Sequence, residues 1–382
     1  MKLSLRPWVV PAIAVAILVL VGLRLAPKPS LAAYWPSSTA IYAQDGSLLR
    51  LRLARDEQYR VWTPLEKMPA RLVQAVKLYE DQWFAWHPGV NPVALVRAIV
   101  STASGAHKQG ASTLTMQLAR RLYALNTRTV QGKLRQMAYA LWLEVRYSKR
   151  DILEAYLNIA PYGRNVEGVG AASLVFFHTA LERLTVAQVM TLAVVPQNPR
   201  ARNPVATALA AGSQPHASRP HTTQEAARAR LWKRWLAAYP ADAGMSADAL
   251  AAVKLDAPQA LPFKAPHLTD HLLQQNSVER SGAVHRNITT ALGLAYQQTL
   301  ERGIAQAVAA QSYIGVHNAA ALLVDAATGD VKAYVGSANY FDEAIEGQVN
   351  GITAKRSPGS ALKPFIYALA VDQGLIHPHS VL

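Results

Sequence analysis

The first residues of the chain restrict its topology more than any other segment does. An apolar run extends over 17 residues, from Pro7 to Leu23, and Lys2 and Arg6 precede it. This length is at the lower limit for a helix that spans a bilayer. Basic residues before such a run favour an N-terminus in the cytoplasm and translocation of the remainder. The sequence therefore predicts a single-pass membrane anchor within residues 1–33, together with a cytoplasmic tip and a connector.

A cleaved signal peptide is the alternative to an anchor. Leu31-Ala32-Ala33 loosely resembles the small-residue site at which signal peptides are cut. In that case the mature protein would begin near Tyr34. We expect the uncleaved form, in which Met1 or Lys2 is retained and the protein sediments with membranes in high salt.

The charge balance indicates an anionic partner. Lys and Arg number 39 against 24 Asp and Glu, which gives a net charge of +15. Nucleic acid, an anionic membrane surface and a phosphorylated substrate would each match that excess. A translocated chain rarely meets DNA, and no nucleic-acid-binding motif appears in the sequence, so we expect no nucleic-acid partner. The absence of cysteine from the sequence excludes disulfides and thiolate metal sites.

Hydropathy patterns divide the rest of the chain into four segments. Residues 34–62 alternate apolar and polar side chains around Asp45-Gly46, which predicts a β-hairpin. Residues 63–205 have helical periodicity, and two places in them have the spacing of a capping box: Ser148 with Asp151, and Thr185 with Gln188. Residues 206–285 are predicted to form a linker with short helices, since their first part is small and polar. Residues 286–382 contain two β-rich runs joined by a Gly turn, AALLVDAATGDVKAYVGS.

The stretch YEDQWFAWHPGVNP, residues 79–92, contains the strongest candidate for catalysis. Two adjacent carboxylates, Glu80 and Asp81, are followed by four bulky rings: Trp83, Phe84, Trp86 and His87. A glutamate on its own more often forms an ion pair or caps a helix. An apolar setting instead raises the pKa of a carboxyl group and makes it a stronger base at neutral pH. We therefore predict that Glu80 is functional and that the aromatic cluster keeps it rigid and partly dry, whereas His87 alone is more often structural.

A basic region follows this stretch. Residues 101–150 contain nine Lys and Arg and a single acid, Glu144. The small residues Gly110-Ala111-Ser112-Thr113 precede an apolar helical pattern, and free N–H groups at a helix start, supported by cations, can bind an oxyanion or phosphate. A solvated helix face with ordinary charges is the alternative, and spacing alone leaves both open.

Five segments taken in order connect these features. YEDQWFAWHPGVNP, GASTLTMQLAR, GKLRQ, ILEAYLNIAPYG and GVGAAS resemble the five motifs of glycosyltransferase family 51, the peptidoglycan polymerases of bacterial cell walls. RSPGSALKPFIYALAVDQGLI resembles the segment around the active serine of class A penicillin-binding proteins, and the first and third motifs look most like the 1C type. The resemblance implies a mainly α fold: a lysozyme-like glycosyltransferase domain behind an N-terminal transmembrane helix, followed by an incomplete α+β transpeptidase segment.

The resemblance also implies roles for individual residues. Glu80 would be the general base that takes the proton from the sugar 4-hydroxyl of lipid II. That oxygen would attack the anomeric carbon of the growing glycan with inversion and expel undecaprenyl pyrophosphate. The residues implied to shape the site or contact substrate are Asp81, Phe84, His87, Ser112, Thr113 and Gln117. The implied pyrophosphate ligands are Arg120, Lys133 and Arg146.

Two positions depart from the family pattern. The third motif usually ends in a glutamate where this chain has Gln136, which shares a helix face with Lys133. The resemblance implies a divalent ion such as Mg²⁺, but without that charge the sequence assigns it no ligands. Ser360 and Lys363 have the S-x-x-K spacing of a nucleophile and its base. Because no S-x-N or K-T-G element follows them, we expect both to be vestigial, with no transpeptidase activity and no acylation by penicillin.

The function implied is polymerisation of lipid II at the periplasmic face of the bacterial inner membrane. The expected partners are lipid II, the growing glycan strand, the cytoplasmic membrane and other cell-wall synthesis proteins. Two alternatives remain at this point. The chain could be a non-catalytic membrane-anchored scaffold, or a lytic enzyme, since a lysozyme-like fold with one glutamate can also cleave glycans.

Overall fold

The computed structural model describes residues 9–103, 112–202, 223–244, 250, 253, 261–278, 286–355 and 357–381. The chain forms two compact units, the first comprising Met1–Lys264 with Glu279–Thr290 and the second comprising Ala265–Val278 with Ala291–Leu382. Most of the small, polar stretch at residues 206–225, predicted to begin the linker, lies outside the described residues, as do Gly110 and Ala111.

The first unit begins with helix α1 (Val9–Leu25), which packs against the later helix α5 (Val130–Arg146). Arg24 donates to the carbonyl oxygen of Glu144 at 2.8 Å, and Arg146 donates back to the carbonyl of Leu23 at 2.8 Å. These charge-assisted bonds satisfy carbonyls at the end of each helix, where no helical N–H is available. Among the described helices, none is both long and apolar enough to cross a membrane.

A three-stranded sheet follows α1. Strands β1 (Thr39–Tyr42) and β2 (Leu48–Arg52) form the predicted antiparallel hairpin, and Gly46 in its turn has φ +79°. The third strand, β5 (Arg286–Thr289), pairs with β1 in parallel, so that the strand order is β2-β1-β5. The sequence instead predicts that β5 belongs to the C-terminal segment, because pairing with a parallel strand far along the chain has no local signal.

The body of the first unit is helical, as predicted, and surrounds one hydrophobic core. A two-stranded ribbon, β3 (Pro161–Gly163) with β4 (Val166–Glu167), interrupts the helices. The helices that follow α1 are α2 (Ala70–Glu80), α3 (Pro92–Ala103), α4 (Leu114–Leu122), α5, α6 (Lys149–Ile159), α7 (Val169–Phe177), α8 (Val186–Val194), α9 (Pro199–Arg202) and α10 (Thr223–Ala238).

Both predicted capping boxes are confirmed. At the start of α6 the Ser148 side chain accepts from the backbone N–H of Asp151, whose carboxylate accepts from the N–H of Ser148. Thr185 and Gln188 form the same reciprocal pair at the start of α8. Each pair satisfies two donors that the helix itself leaves free, which sets where these two core helices begin.

The second unit contains helices α11 (Pro266–Val278), α12 (Leu294–Gln311) and α13 (Lys363–Asp372), and a hairpin of β6 (Ala321–Val324) with β7 (Val331–Val335). The hairpin confirms the two predicted β-rich runs, and its turn contains Gly329 at φ +75°. Helix α11 lies within the segment predicted as a linker, yet it belongs to this unit.

A buried ion-pair cluster ties the N-terminal part of the first unit to α4. Glu167 of β4 accepts from Arg60, which precedes α2, and from Arg121 of α4. Arg60 is almost fully buried, and it also pairs with Asp56 at 2.9 Å. A guanidinium in that position needs its carboxylate partners, since an unpaired buried charge is strongly destabilising. The cluster therefore helps to hold α4 in place.

We predict that Glu167→Gln lowers the free energy of unfolding by about 3 kcal/mol, because it leaves the buried Arg60 partly uncompensated. Urea denaturation of the purified chain measures this change. Glu66→Gln is the matched control, since Glu66 pairs with Arg150 where both side chains are mostly exposed. The control should show no measurable change. Equal effects of the two substitutions would contradict this role of the cluster.

Candidate active site

Glu80 is the last residue of α2, and its carboxylate is held on one side only. The oxygen Oε2 accepts from Nε2 of Gln117, in α4, at 2.9 Å. The residue is partly exposed, but its Oε1 is buried and has no hydrogen-bond partner among the described residues. Burial raises the pKa of Glu80 above its ordinary value, the hydrogen bond from Gln117 and the charge of Arg202 oppose that rise, and Asp81 adds to it. Such a carboxylate has one oxygen fixed and one available to accept a proton.

Asp81 is the next residue in the chain, and its carboxylate has a structural role. It ends α2 and is buried, and its Oδ2 accepts from the backbone N–H of Leu114, the first residue of α4, at 3.0 Å. Its Oδ1 lies 2.9 Å from Nε2 of His87, which is also buried. The Asp81 carboxylate is thus occupied by contacts within the protein. It joins the end of α2 to the start of α4, which carries Gln117.

Contrary to the prediction, the aromatic cluster of Trp83, Phe84, Trp86 and His87 does not enclose Glu80. Phe84 is buried, but Trp83 is 55% exposed and Trp86 is 83% exposed. The side chains around Glu80 come instead from later elements. The hydroxyl of Tyr156, in α6, donates a hydrogen bond to Oε1 of Gln117 at 3.4 Å. Burial raises the pKa of Tyr156 and of Tyr162, and the charge of Glu80 raises both further, which indicates that both rings lie near this carboxylate.

The start of α4 is organised by two hydroxyl residues. Thr113 is the N-cap of the helix: its Oγ1 accepts from the N–H of Met116 at 3.1 Å and donates to the carbonyl of Gly89. Ser112, just before it, accepts from Nζ of Lys133 at 2.8 Å. The structure thus brings Ser112 and Thr113 between the Glu80 stretch and α5.

Lys133 and Gln136 form a second polar group on α5. Nζ of Lys133 also donates to Oε1 of Gln136 at 2.9 Å, and Nε2 of Gln136 donates to the carbonyl of Met116 at 2.7 Å. Burial lowers the pKa of Lys133, and the nearby charge of Arg120 lowers it further. The ammonium of Lys133 therefore has neutral oxygens as its hydrogen-bond partners among the described residues, and its charge is available to an anion.

Arg146 does not join this group. It lies 13 residues beyond Lys133 on α5, which corresponds to about 20 Å along the helix axis. Its guanidinium donates to the carbonyls of Leu23 and Pro27 at the end of α1, at 2.8 and 3.0 Å. The structure therefore does not bring the Arg146 guanidinium to Lys133, and its role as a pyrophosphate ligand stays a prediction. Arg120 is exposed and close enough to Lys133 to affect its charge, so it remains a candidate.

The residues around Gln136 do not fit a divalent cation. The amide nitrogen of Gln136 faces a backbone carbonyl, its oxygen accepts from a lysine, and a lysine ammonium repels a metal ion. Asp81 is engaged by His87 and Leu114. Within the described ranges, no cluster of three or more His, Asp and Glu could hold a metal.

Arg202 is a neighbour of Glu80 that sequence reasoning missed. It lies at the end of α9, and its positive charge acts on the Glu80 carboxylate. Nothing in the local pattern PRAR distinguishes it from Arg200, since its hydrogen bonds are made to distant residues, Tyr79 of α2 and Val194 of α8. Tyr156 and Tyr162 lie within the motif ILEAYLNIAPYG, and nothing in its spacing predicts that their rings lie near Glu80.

Ser360 and Lys363 lie in the second unit. Ser360 is in a short 3₁₀ turn, Gly359–Leu362, and Lys363 begins α13. Both side chains are exposed, as is most of α13.

Comparisons with known proteins give two family matches, and each covers one of these two groups of residues. Residues 46–224 match the family model described as transglycosylase, and residues 319–382 match the one described as penicillin binding protein transpeptidase domain. The chain belongs to the class A penicillin-binding proteins. The Glu80, Gln117 and Lys133 site lies within the transglycosylase match, and Ser360 lies within the transpeptidase match.

Relatives of this class A penicillin-binding protein include Penicillin-binding protein 1C of Escherichia coli, 34% identical over 90% of this chain and 42% of the relative. Penicillin-binding protein 2D of Bacillus subtilis is 31% identical over 89% of this chain and 48% of the relative. The chain thus spans less than half the length of these two relatives. A crystal structure of Penicillin-Binding Protein 1A from Haemophilus influenzae matches at 18% identity with a TM-score of 0.30, over 76% of this chain and 32% of that chain.

We predict that Asp81→Ala destabilises the first unit by about 2–4 kcal/mol, because it leaves the buried N–H of Leu114 and the ring of His87 without their shared acceptor. Chemical denaturation followed by tryptophan fluorescence measures the loss. Asp81→Asn is the conservative control, since one amide oxygen can still accept from Leu114, and it should lose less than half as much. Equal stability of Asp81→Ala and wild type would contradict the joining role of Asp81.

Proposed function

We propose that the first unit is a peptidoglycan glycosyltransferase that polymerises lipid II into glycan strands. The observation that carries the proposal is the arrangement at Glu80: Oε2 is fixed by Gln117 and Oε1 is buried without a partner among the described residues. The cationic group formed by Lys133, Ser112 and Gln136 meets the same helix, α4, at its start. A base and a cation that both contact the start of one helix suit the transfer of a sugar from a pyrophosphate.

The reaction would proceed in one displacement. Oε1 of Glu80 accepts the proton of the 4-hydroxyl of lipid II as that oxygen attacks the anomeric carbon of the growing glycan. A bond forms between this oxygen and the anomeric carbon, and the bond from the carbon to the pyrophosphate oxygen breaks. The electron pair leaves with undecaprenyl pyrophosphate, and the proton remains on Glu80 until it passes to solvent. A base of this kind contributes about 10²–10⁴-fold to the rate.

The pyrophosphate leaving group needs stabilisation by positive charge more than it needs a proton. Pyrophosphate departs as an anion, so donors aimed at its oxygens stabilise the transition state directly. We assign that task to the partly buried Lys133, and Arg120 adds positive charge nearby. Gln136 is neutral, so it leaves the charge of Lys133 uncompensated, and it orients the ammonium through the 2.9 Å bond to its Oε1.

The membrane is the second proposed partner. We propose that α1 anchors the protein in the bacterial inner membrane as a single pass, with the catalytic unit, of lysozyme-like fold, on the periplasmic side. The large apolar side chains of α1 from Ile17 to Val21 are exposed. Val93, Val96 and Val100 of α3 are also exposed, and their spacing places them along one face of that helix. Apolar faces of this kind would enter lipid beside a lipid-linked substrate.

Incubation of the purified protein with lipid II distinguishes the proposal from its alternatives. A glycosyltransferase lengthens glycan chains, a lytic enzyme shortens added strands, and a non-catalytic scaffold does neither. We expect lengthening, because the cationic group suits a pyrophosphate leaving group and has no use in hydrolysis of a finished glycan. Products separated by length on a gel give the result.

Glu80→Gln is predicted to lower the rate of polymerisation by about 10²-fold or more, since it keeps the shape and one acceptor but removes the proton affinity. Initial rates with fluorescent lipid II measure the loss. Because burial disfavours the ionised form of Glu80, the variant should be no less stable than wild type at neutral pH. Near-normal turnover in this variant would remove Glu80 from the role of base.

Lys133→Ala is predicted to weaken use of the donor, because it removes a charge-assisted contact to the pyrophosphate. The measurement is the dependence of initial rate on donor concentration, and we expect a loss of at least tenfold in kcat/KM, about the value of one such contact. Arg135→Ala is the matched control: it removes the same charge from an exposed side chain two residues away on α5. Equal losses in both variants would indicate a general effect of net charge instead.

A further inference from the structure

Three cations gather where the end of α1 meets the end of α5. Arg24 and Lys28 follow the apolar run of α1, and Arg146 is the last residue of α5. The guanidinium of Arg146 donates to the carbonyls of Leu23 and Pro27 at 2.8 and 3.0 Å. Nζ of Lys28 donates to the carbonyl of Arg24 at 2.6 Å and to the carbonyl of Arg146. We call Arg24, Lys28 and Arg146 the junction cluster.

No carboxylate neutralises the junction cluster within the described part of the chain. The hydrogen-bond acceptors of all three side chains are backbone carbonyls. Glu144 is the acid nearest to Arg146 along the chain, and its Oε1 accepts instead from Thr115 and Lys149, at 2.6 and 2.8 Å. The C-terminal ends of two helices supply about half a negative charge each, so the cluster keeps a net charge of about +2.

The junction cluster also keeps donors and surface available. All three side chains are half-buried. Only Nη1 of the Arg24 guanidinium has partners among the described residues, so its Nε and Nη2 can donate to a ligand. The guanidinium of Arg146 lies 5.8 Å from the ring centroid of Trp142, which is 43% exposed. An exposed tryptophan beside cations is typical of the interface between membrane and water.

The length of α1 places the junction cluster at the depth of lipid headgroups, an argument that rests on the proposed anchoring of α1. The helix has 17 residues, which corresponds to about 26 Å along its axis. The hydrocarbon core of a bilayer is about 30 Å thick. Arg24 is the first charged residue after the apolar run, so its long side chain ends near the phosphates. The exposed apolar side chains from Ile17 to Val21 continue this surface into the lipid.

We propose that the junction cluster binds the phosphate of an anionic phospholipid in the periplasmic leaflet of the membrane. Guanidinium groups match phosphate oxygens in geometry, and the ammonium of Lys28 adds a point charge. A zwitterionic lipid brings its own cation, so the net positive charge of the cluster favours a lipid with a net negative charge. A bound phosphate would link α1 to α5 and hold the catalytic unit at a fixed height above the bilayer.

The test reconstitutes the full chain in phosphatidylcholine vesicles that contain brominated phosphatidylglycerol, or brominated phosphatidylcholine at the same mole fraction. Bromine quenches tryptophan fluorescence on contact, and the difference between the protein and its Trp142→Phe variant isolates the signal beside the cluster. We expect a preference of about tenfold for phosphatidylglycerol. Arg24→Gln should lose about fivefold of it, the effect of one cation beside an anionic surface. Arg230→Gln, which removes the same charge from an exposed side chain of α10, should match wild type.

Two results would overturn the proposal. One is equal quenching of the wild-type protein by the two brominated lipids, a comparison that needs no variant to fold. The other is an equal loss of preference in Arg24→Gln and Arg230→Gln, which would reduce the effect to net charge.

The lipid-linked substrate offers the same phosphate chemistry, and the resemblance implies a pyrophosphate contact for Arg146. A second arm therefore measures KM for lipid II in vesicles of phosphatidylcholine alone. We expect KM in Arg24→Gln to stay within about twofold of wild type, because no anionic phospholipid is present to be lost. A rise of about fivefold or more would assign the junction cluster to the substrate and overturn the phospholipid site.

Failure of the proposed function or of the anchor gives a different result from failure of this inference. The lipid preference is measured without lipid II, so it does not depend on glycosyltransferase activity. A chain that stays in neutral vesicles after washing but shows no preference for phosphatidylglycerol overturns the headgroup site and leaves the anchor intact. A chain that washes out of neutral vesicles but binds those with phosphatidylglycerol contradicts the anchor and supports the cationic surface.

Discussion

Withdrawal of a carboxylate from water is the constraint around which the first unit is arranged. Burial raises the pKa of Glu80, so the folded state binds a proton there more tightly than the unfolded chain does. The resulting contribution to stability is complete below the ordinary glutamate pKa and is lost as the pH rises through the folded pKa. Ionisation of Glu80 therefore lowers the stability of the folded state. Burial likewise lowers the pKa of Lys133, so the two groups proposed for chemistry are both held in environments that disfavour their charges.

The surrounding contacts explain how these charges are maintained. Gln117 supplies a hydrogen bond to Glu80 from α4, and Asp81 fixes the start of that helix through Leu114. The ion pair between Arg121 of α4 and Glu167 of β4 attaches α4 to the rest of the first unit. Helix α4 also contacts the group formed by Ser112, Lys133 and Gln136, since the carbonyl of Met116 accepts from Nε2 of Gln136. The base and the cation are therefore placed by one helix, and a shift of that helix would disturb both.

Sequence reasoning succeeded where information is local. The Asp45-Gly46 turn, the two capping boxes and the proximity of Lys133 to Gln136 each follow from spacing within a few residues, and each is observed. It failed where tertiary packing decides. The exposure of Trp83, the parallel strand β5 and the attachment of Arg146 to α1 depend on contacts between distant segments. For the same reason a local pattern could not distinguish Arg202 from Arg200.

The position of the attacking oxygen tests the central claim most directly. A crystal structure of the protein with an unreactive lipid II analogue would locate the sugar 4-hydroxyl relative to both carboxylates. The account predicts that this oxygen lies about 3 Å from Oε1 of Glu80, within hydrogen-bond reach, while Oε2 keeps its bond to Gln117. A hydroxyl that instead contacts Asp81, or that lies beyond the reach of one bridging water from Glu80, would contradict the assignment of Glu80 as the base.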